Sequence, residues 1–232
     1  MLFRQLFDHD SFTYTYLIAD PETGEAALID PVDVHLDMYL RLLEELQLKL
    51  IVALDTHVHA DHVTALGPLR EATGCKTMVG FEGEVACATE GLEEGKSVNV
   101  GSIEIQTLFT PGHTDDSFCF VVENDGKHYL FSGDTLFIRG TGRTDFQNGD
   151  PAQLYDSLHK KVLVLPDDTL IYPGHDYKGW TVSTIAEEKR ANPRLEPSTK
   201  EAFIELMNGL DLPDPKMMDV AVPANRACGL KG

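Results

Sequence analysis

The chain has 232 residues, and its 38 acidic residues against 19 lysines and arginines give a formal net charge of −19. This length allows one domain with a sizeable apolar core. The four cysteines are scattered without a Cys-x-x-Cys pair, so we expect neither a disulfide framework nor a thiolate zinc site. The negative charge repels phosphate backbones, and nucleic acid is therefore not an expected partner.

Export and membrane insertion are also not expected. The first residues lack the apolar run of a signal peptide and the arginine- and serine-rich character of a transit peptide. No segment holds 18 uncharged apolar residues in a row. Scattered thiols suit a reducing compartment. We therefore predict a cytoplasmic protein without a membrane partner.

Short apolar runs rich in β-branched residues alternate with amphipathic stretches, which predicts an α/β protein. Strands are expected at 14–19 and 26–30, and the turn-rich link between them indicates a hairpin. A helix over 36–46 has leucines near helical spacing. The almost wholly apolar segment 48–54 then predicts a buried strand.

Four predicted strands each end just before a potential metal ligand. The strands are 48–54, 103–109, 129–131 and 169–172, and the ligands that follow them are the cluster within 56–62, then His113, Asp134 and His175. A turn-forming glycine precedes each of the last three ligands. Since loops that leave strand ends present side chains at one sheet edge, we expect the four loops to meet.

The C-terminal third is predicted to be mostly helical. Asp150 followed by Pro151 indicates a helix start that continues to about 162. The segments 184–187 and 198–201 match the capping box that opens a helix. We expect the proline-rich tail from Leu212 to be surface coil. The whole is predicted as a single domain, 1–232, with a short helical and coil extension at about 183–232.

The segment 56–62 concentrates four potential ligands within six residues: His57, His59, Asp61 and His62. Two alternate histidines can face one side of an extended loop, and the following Asp-His pair can reach a neighbouring position. Imidazole nitrogen and carboxylate oxygen suit zinc, iron and manganese. Together with the three distant ligands, this grouping predicts a metal site.

The order of these motifs resembles the metallo-β-lactamase superfamily. The resemblance is carried by Thr-His-x-His-x-Asp-His at 56–62, Pro-Gly-His-Thr at 111–114, Ser-Gly-Asp-Thr-Leu at 132–136 and Pro-Gly-His-Asp at 173–176. It implies an αββα sandwich, an α/β (α+β) fold, with the metal site at the sheet edge. In the family pattern one site comprises His57, His59 and His113, a second comprises Asp61, His62 and His175, and Asp134 bridges them.

Within this superfamily the stretch 133–147, from Gly-Asp-Thr-Leu to Asp-Phe-Gln, resembles the persulfide dioxygenases. So do the segments 13–17, 171–179, 188–194 and 222–226. The resemblance implies oxidation of glutathione persulfide by O2 and water to sulfite and glutathione. It also implies one Fe(II) per subunit, held by His57, His113 and Asp134.

The same resemblance implies roles for the remaining cluster residues and for two others. Residues that orient the ligands and hold water near the iron are His59, Asp61, His62 and His175. Arg143 resembles a family arginine that contacts a glutathione carboxylate, which suits its planar fork of donors. Tyr177 resembles a tyrosine that contacts glutathione.

Two other functions stay open at this stage. Glyoxalase II, a dinuclear hydrolase of S-acylglutathione thioesters, is the main alternative, because the chain keeps every residue that a second metal would need. That family carries Phe-Glu-Gly where this chain has Thr144-Asp145-Phe146-Gln147, and a longer C-terminal helical module. The other alternative is a metal-stabilised binding or sensor protein without turnover. The oligomeric state, a homodimer included, and the pathway are left open.

Overall fold

Two six-stranded sheets form the frame of the molecule. The computed structural model describes residues 1–80, 83, 85, 87–213 and 217–230. Within them the first sheet has its strands in sequence order: β1 (Leu2–Phe7), β2 (Tyr14–Ala19), β3 (Glu25–Ile29), β4 (Lys49–Leu54), β5 (Lys76–Gly80) and β6 (Glu90–Leu92). Strands β1 to β3 pair antiparallel, and β3 to β6 pair parallel.

The second sheet is built from the following half of the chain. Its strands are β7 (Ser97–Val100), β8 (Ile103–Phe109), β9 (Phe118–Asn124), β10 (Lys127–Gly133), β11 (Leu170–Pro173) and β12 (Ser183–Thr184), in the order β12-β11-β10-β9-β8-β7. Only β10 and β11 pair parallel. As a result the carboxyl ends of β10 and β11 lie side by side at one edge.

Helices cover the outer face of each sheet. On the first sheet these are α1 (Leu36–Glu45) and α2 (Leu66–Thr73), whose buried residues include Tyr39 and Leu66. On the second sheet they are α3 (Pro151–Ser157) with a π-helical continuation (Leu158–Val162), α4 (Ile185–Ala191) and α5 (Lys200–Asn208). Between the sheets lies a third apolar cluster with Tyr16, Phe120 and Phe131. The architecture is the αββα sandwich implied by the motifs.

Most of the predicted elements are confirmed within a residue or two, but the tail is not. Asp150 caps α3 by accepting from two backbone N–H groups, as predicted. The cap of α5 is Thr199, one residue after the predicted Ser198. The prediction of coil from Leu212 is wrong, because a helix, α6 (Met218–Arg226), forms there with Pro223 inside it. No helix among the described residues is long and apolar enough to cross a membrane.

The cysteine prediction is also wrong. A disulfide joins Cys87 to Cys228, with Cα atoms 6.0 Å apart across a sequence separation of 141 residues. Folding places the segment before β6 beside the end of α6, a proximity that cysteine spacing does not reveal. Cys75 and Cys119 are free and buried. Cys119 lies within β9.

Candidate metal centre

Four loops that leave strand ends bring their side chains together at one edge of the sandwich. The loop after β4 carries His57, and the loops after β8, β10 and β11 carry His113, Asp134 and His175. Strand β4 belongs to the first sheet, and the other three strands belong to the second. The convergence expected from the sequence is therefore present, and both sheets contribute to it.

His57, His113 and Asp134 form the inner cluster. Potential ligand atoms of the three side chains all lie within 4.8 Å of one another, and Nε2 of His113 is 3.5 Å from Oδ2 of Asp134. The two histidine rings meet edge to face, with centroids 4.9 Å apart. Two imidazoles and one carboxylate are a donor set that suits a divalent transition metal and leaves coordination positions open.

The segment after β10 fixes the orientation of His113. Its Nδ1 donates a hydrogen bond to the carbonyl oxygen of Arg143 at 2.7 Å, so its Nε2 is directed at Asp134. Gly142 permits this close approach, because a Cβ there would lie 2.8 Å from the His113 ring and 2.3 Å from the carbonyl oxygen of Asp134. The glycine at position 142 is thus required by the geometry of the cluster.

Asp134 and His57 have the protonation states that metal binding needs. Burial alone would raise the pKa of Asp134, but His175, through its charge and its hydrogen bond, holds that pKa well below its usual value. Burial and the neighbouring His59 lower the pKa of His57, so its ring is neutral at pH 7. A carboxylate and a neutral imidazole can bind a cation without first losing a proton.

His59 is oriented by a buried aspartate. Its Nε2 lies 3.2 Å from Oδ1 of Asp30, which also accepts from the backbone N–H of Thr56 at 2.7 Å. Burial lowers the pKa of His59, but the Asp30 carboxylate outweighs burial, and the pKa rises to about 9. Asp30 thus fixes the orientation of the His59 ring through Nε2.

Two buried nitrogens test whether the centre fits a metal ion. Nδ1 of His59 and Nε2 of His62 have no hydrogen-bond partner among the described residues. A buried polar group without a partner costs about 1–3 kcal/mol. Unpaired nitrogens of this kind favour a cation or water close by, and with the donor set of the inner cluster they fit a bound metal ion.

Asp61, His62 and His175 form an outer group beside the inner cluster. Oδ2 of Asp61 lies 3.0 Å from Nδ1 of His62 and 2.8 Å from Nε2 of His175. Nδ1 of His175 lies 2.8 Å from Oδ1 of Asp134, so His175 bridges two carboxylates. Burial lowers the pKa of His175, but these carboxylates raise it well above its ordinary value. His175 therefore donates from both ring nitrogens.

Arg143 and Tyr177 both border the space above the inner cluster. They line a cavity of about 790 Å³ that also reaches His57, His113 and Asp134. The guanidinium of Arg143 pairs with Asp145 at 2.6 and 2.7 Å and donates to the carbonyl oxygen of Pro213 at 2.7 Å. The Tyr177 side chain is 65 % exposed, and its ring lies 5.3 Å from that of Phe12.

Three residues that hold the centre in place were given no role by the sequence interpretation. They are Thr13, Asp30 and Asn225, all of them at most 3 % exposed. Asn225 contacts the backbone of the segment 59–64, and Thr13 contacts the outer group. Thr13 and Asn225 lie in segments that carry the family resemblance, which was the only available signal. Their contacts depend on folding and have no local pattern.

Comparison with known proteins agrees with this geometry. The model of the metallo-beta-lactamase superfamily matches residues 10–175. The persulfide dioxygenase ETHE1, mitochondrial, of Mus musculus is 46% identical over 233 residues, covering 100% of this chain and 90% of that protein. The crystal structure of ETHE1 from Myxococcus xanthus is 54% identical with a TM-score of 0.95, covering 99% of this chain and 100% of that one.

Hydroxyacylglutathione hydrolases match a smaller part of the chain. The hydroxyacylglutathione hydrolase of Polaromonas sp. is 39% identical over 167 residues, which cover 71% of this chain and 62% of that protein. A solved structure in a di-iron-bound form, TTHA1623, is 31% identical with a TM-score of 0.67, covering 82% of this chain and 98% of that one. The similarity to the persulfide dioxygenases thus covers the whole chain and 90% of the length of those proteins. The chain belongs to the metallo-β-lactamase superfamily and, within it, to the persulfide dioxygenase family.

Proposed function

We propose that this protein oxidises glutathione persulfide with O2 and water, giving sulfite and glutathione, and that it uses one Fe(II) held by His57, His113 and Asp134. The observation that carries the proposal is the cluster of two histidines and one carboxylate, in a chain similar over its whole length to a persulfide dioxygenase. One molecule each of persulfide, O2 and water gives one glutathione, one sulfite and two protons. No external reductant is needed.

Iron fits the proposed reaction better than zinc does. Zinc has no redox chemistry, whereas two histidines and a carboxylate with open positions are the set found in non-haem Fe(II) oxygenases. When bound, Fe(II) supplies the redox chemistry and the positions at which O2 and sulfur can meet. The di-iron form of TTHA1623 supports iron as a metal that this kind of centre can accept.

Hydrogen bonds within the chain orient the proposed ligand side chains before the ion binds. Nδ1 of His113 donates a hydrogen bond to the carbonyl oxygen of Arg143, which leaves Nε2 of the ring available to the ion. Nδ1 of His175 donates a hydrogen bond to Oδ1 of Asp134, and the other carboxylate oxygen, Oδ2, faces His113. Because these side chains are held in place before the reactants bind, little ordering is needed when they do.

The cavity above the cluster suits a glutathione-sized substrate. Its volume of about 790 Å³ is within the usual range for small-molecule sites. We propose that Arg143 binds a carboxylate of glutathione and that Tyr177 contacts its peptide portion. Phe12, Val34 and Phe146 add apolar surface to the lining of the same cavity, which suits the non-polar parts of a small ligand.

Oxygen uptake by protein of known metal content tests the function. Anaerobically purified chain loaded with one equivalent of Fe(II) is expected to consume O2 only with glutathione persulfide and to form sulfite at the same rate. The chain loaded with Zn(II) is expected to be inactive. Hydrolysis of S-lactoylglutathione without O2 uptake would contradict the proposal and favour the glyoxalase II alternative. Tight glutathione binding without turnover of either substrate would favour a binding or sensor protein.

Two histidine variants serve as a matched pair for this assay. His57→Ala is expected to lose iron and O2 uptake together. His128→Ala changes a histidine of β10 that lies outside the cluster and faces Glu123, and it is expected to keep both the iron and the O2 uptake.

We also propose a cytoplasmic location and a homodimeric state. Cell fractionation tests the first, and light scattering tests the second.

A further inference from the structure

The hydroxyl group of Thr56 lies between His57 and a buried carboxylate. Its Oγ1 donates a hydrogen bond to Oδ2 of Asp30 at 3.0 Å and lies 3.0 Å from Nδ1 of His57. All three side chains are at most 2 % exposed. Because His57 belongs to the inner cluster, this hydroxyl group joins a proposed metal ligand to the carboxylate behind it.

The single hydroxyl proton of Thr56 determines which nitrogen of His57 carries a proton. A carboxylate only accepts hydrogen bonds, whereas a hydroxyl group donates one and has lone pairs that accept. Since Thr56 donates its proton to Asp30, its oxygen can only accept from the ring of His57. Nδ1 of His57 therefore carries the proton, and Nε2 keeps the lone pair that a metal ion needs.

Residues at the ends of three strands hold Thr56 in this position. Its backbone N–H donates to Oδ1 of Asp30, directly after β3, at 2.7 Å. Its carbonyl oxygen accepts from the backbone N–H of Phe118, the first residue of β9, at 2.7 Å. Gly133, the last residue of β10, packs so closely that a Cβ there would lie 2.7 Å from Oγ1 of Thr56. The hydroxyl group is thus fixed before any ion binds.

The other two proposed ligands have supports of the same kind. His113 donates from Nδ1 to the carbonyl oxygen of Arg143. Asp134 accepts at Oδ1 from Nδ1 of His175. Each partner occupies one polar atom of the ligand and leaves the other for an ion. The hydroxyl group of Thr56 does the same for the third ligand.

We propose that Thr56 is a positioning residue of the metal centre: its hydroxyl group, held by Asp30, keeps the proton of His57 on Nδ1 and so presents Nε2 to the ion. The inference rests on the proposed role of His57 as a metal ligand and adds the residue that prepares this ligand. Partners of this kind also raise the basicity of the bound ring, and their loss lowers metal affinity by about 10–100-fold.

Zinc affinity of the full chain, measured by competition with a chelator, is the first test. Thr56→Val keeps the volume and removes the hydroxyl group, so the affinity is expected to fall by about 10–100-fold. Thr56→Ser keeps the hydroxyl group and is expected to recover most of that loss. The matched control is Thr107→Val, which changes a buried threonine of β8 whose hydroxyl group donates to the carbonyl oxygen of Lys96 at 2.7 Å. Its zinc affinity is expected to equal that of the wild type.

Nitrogen NMR of the chain labelled at histidine is the second test. In the zinc-loaded wild type, His57 is expected to carry a proton on Nδ1 and to bind the diamagnetic ion through Nε2. In metal-free wild type the proton is expected to stay on Nδ1. In metal-free Thr56→Val both tautomers of His57 are expected, because the oxygen that accepts from Nδ1 is absent.

Binding of zinc through Nδ1 of His57, or wild-type zinc affinity in Thr56→Val, overturns the inference. An equal loss of affinity in Thr107→Val does so too, since general destabilisation would then account for the effect. The wild-type spectrum tests the inference even if Thr56→Val does not fold. A chain that gives the expected affinities and spectra without oxidising glutathione persulfide would refute the proposed function and leave the role of Thr56 intact.

Discussion

The side-chain amide of Asn225 donates a hydrogen bond to the carbonyl oxygen of His62 at 2.9 Å. The same amide group donates to the carbonyl oxygen of His59 at 2.8 Å, and its oxygen accepts from the backbone N–H of Thr64 at 2.8 Å. Asn225 lies in α6, near the other end of the chain. One buried side chain thus fixes the backbone of the ligand-rich segment at three points.

Replacement of Asn225 is expected to weaken both folding and metal binding. Asn225→Ala leaves three buried backbone groups without partners, and since each such group costs about 1–3 kcal/mol, the free energy of unfolding should fall by at least about that amount. Iron affinity should fall as well, because the loop that carries His57 is less well ordered. Urea unfolding and Fe(II) titration measure the two effects. The control is Asn208→Ala, an exposed position in α5, and equal behaviour of the two variants would contradict the prediction.

The disulfide between Cys87 and Cys228 is expected to stabilise the fold. It closes a loop across 141 residues of sequence and restricts the unfolded chain, which contributes about 2–4 kcal/mol for a typical disulfide. Dithiothreitol should therefore lower the urea midpoint of the wild-type chain. Cys87→Ser should have that lower midpoint with or without the reductant. If dithiothreitol lowered the urea midpoint equally in both proteins, the result would contradict a stabilising disulfide between Cys87 and Cys228.

Arg143 is expected to act on substrate binding more than on metal binding. Its backbone carbonyl contacts His113, but its side chain faces the cavity, so Arg143→Ala should keep the iron. The KM for glutathione persulfide should rise on the order of tenfold or more, since a hydrogen bond to a charged group contributes about 1.5–3 kcal/mol. Arg143→Lys should recover part of the loss. Steady-state kinetics beside iron analysis tests this, and a matching loss of iron would refute the assigned role.

Acid stability should depend on Asp20, far from the centre. Hydrogen bonds from the backbone N–H groups of Ser102 and Glu22 lower the pKa of Asp20 from 3.8 to about 2. Because the folded-state pKa is the lower one, this stabilisation is complete above pH 4 and is lost as the pH falls towards 2. In metal-free protein, Asp20→Asn should reduce the pH dependence of the urea midpoint over that range. The exposed Asp37→Asn should leave it unchanged.

The strands and the ligands at their ends could be predicted because the responsible patterns are local. Apolar runs of four to seven residues predict buried strands, and a glycine just before His113, Asp134 or His175 predicts a turn at each strand end. Strands that run in the same direction then bring such ends to one edge: β8 and β10 both pair antiparallel with β9, and β11 pairs parallel with β10. These patterns predicted that the loops would meet, and the resemblance to persulfide dioxygenases then selected His57, His113 and Asp134 among the side chains on them.

The supports of the centre could not be predicted because they join distant segments. Thr13 meets Asp61 across 48 positions, and Asn225 meets His59 across 166. The helix α6 was missed for a related reason: Pro223 removes a backbone donor and argues against a helix, yet burial of Ala221 and Asn225 and the nearby disulfide stabilise it. Tertiary contacts here override local preference.

The division of the ligands between the two sheets also sets when the centre can form during synthesis. All six strands of the first sheet lie within residues 2–92, and His57 follows β4, whereas His113 and Asp134 come later. A nascent chain that has exposed only the strands of the first sheet therefore lacks two of the three proposed ligands. A metal ion that needs all three proposed ligands can bind only after β10 and Asp134 have been synthesised, so a product that ends before them would lack the proposed site.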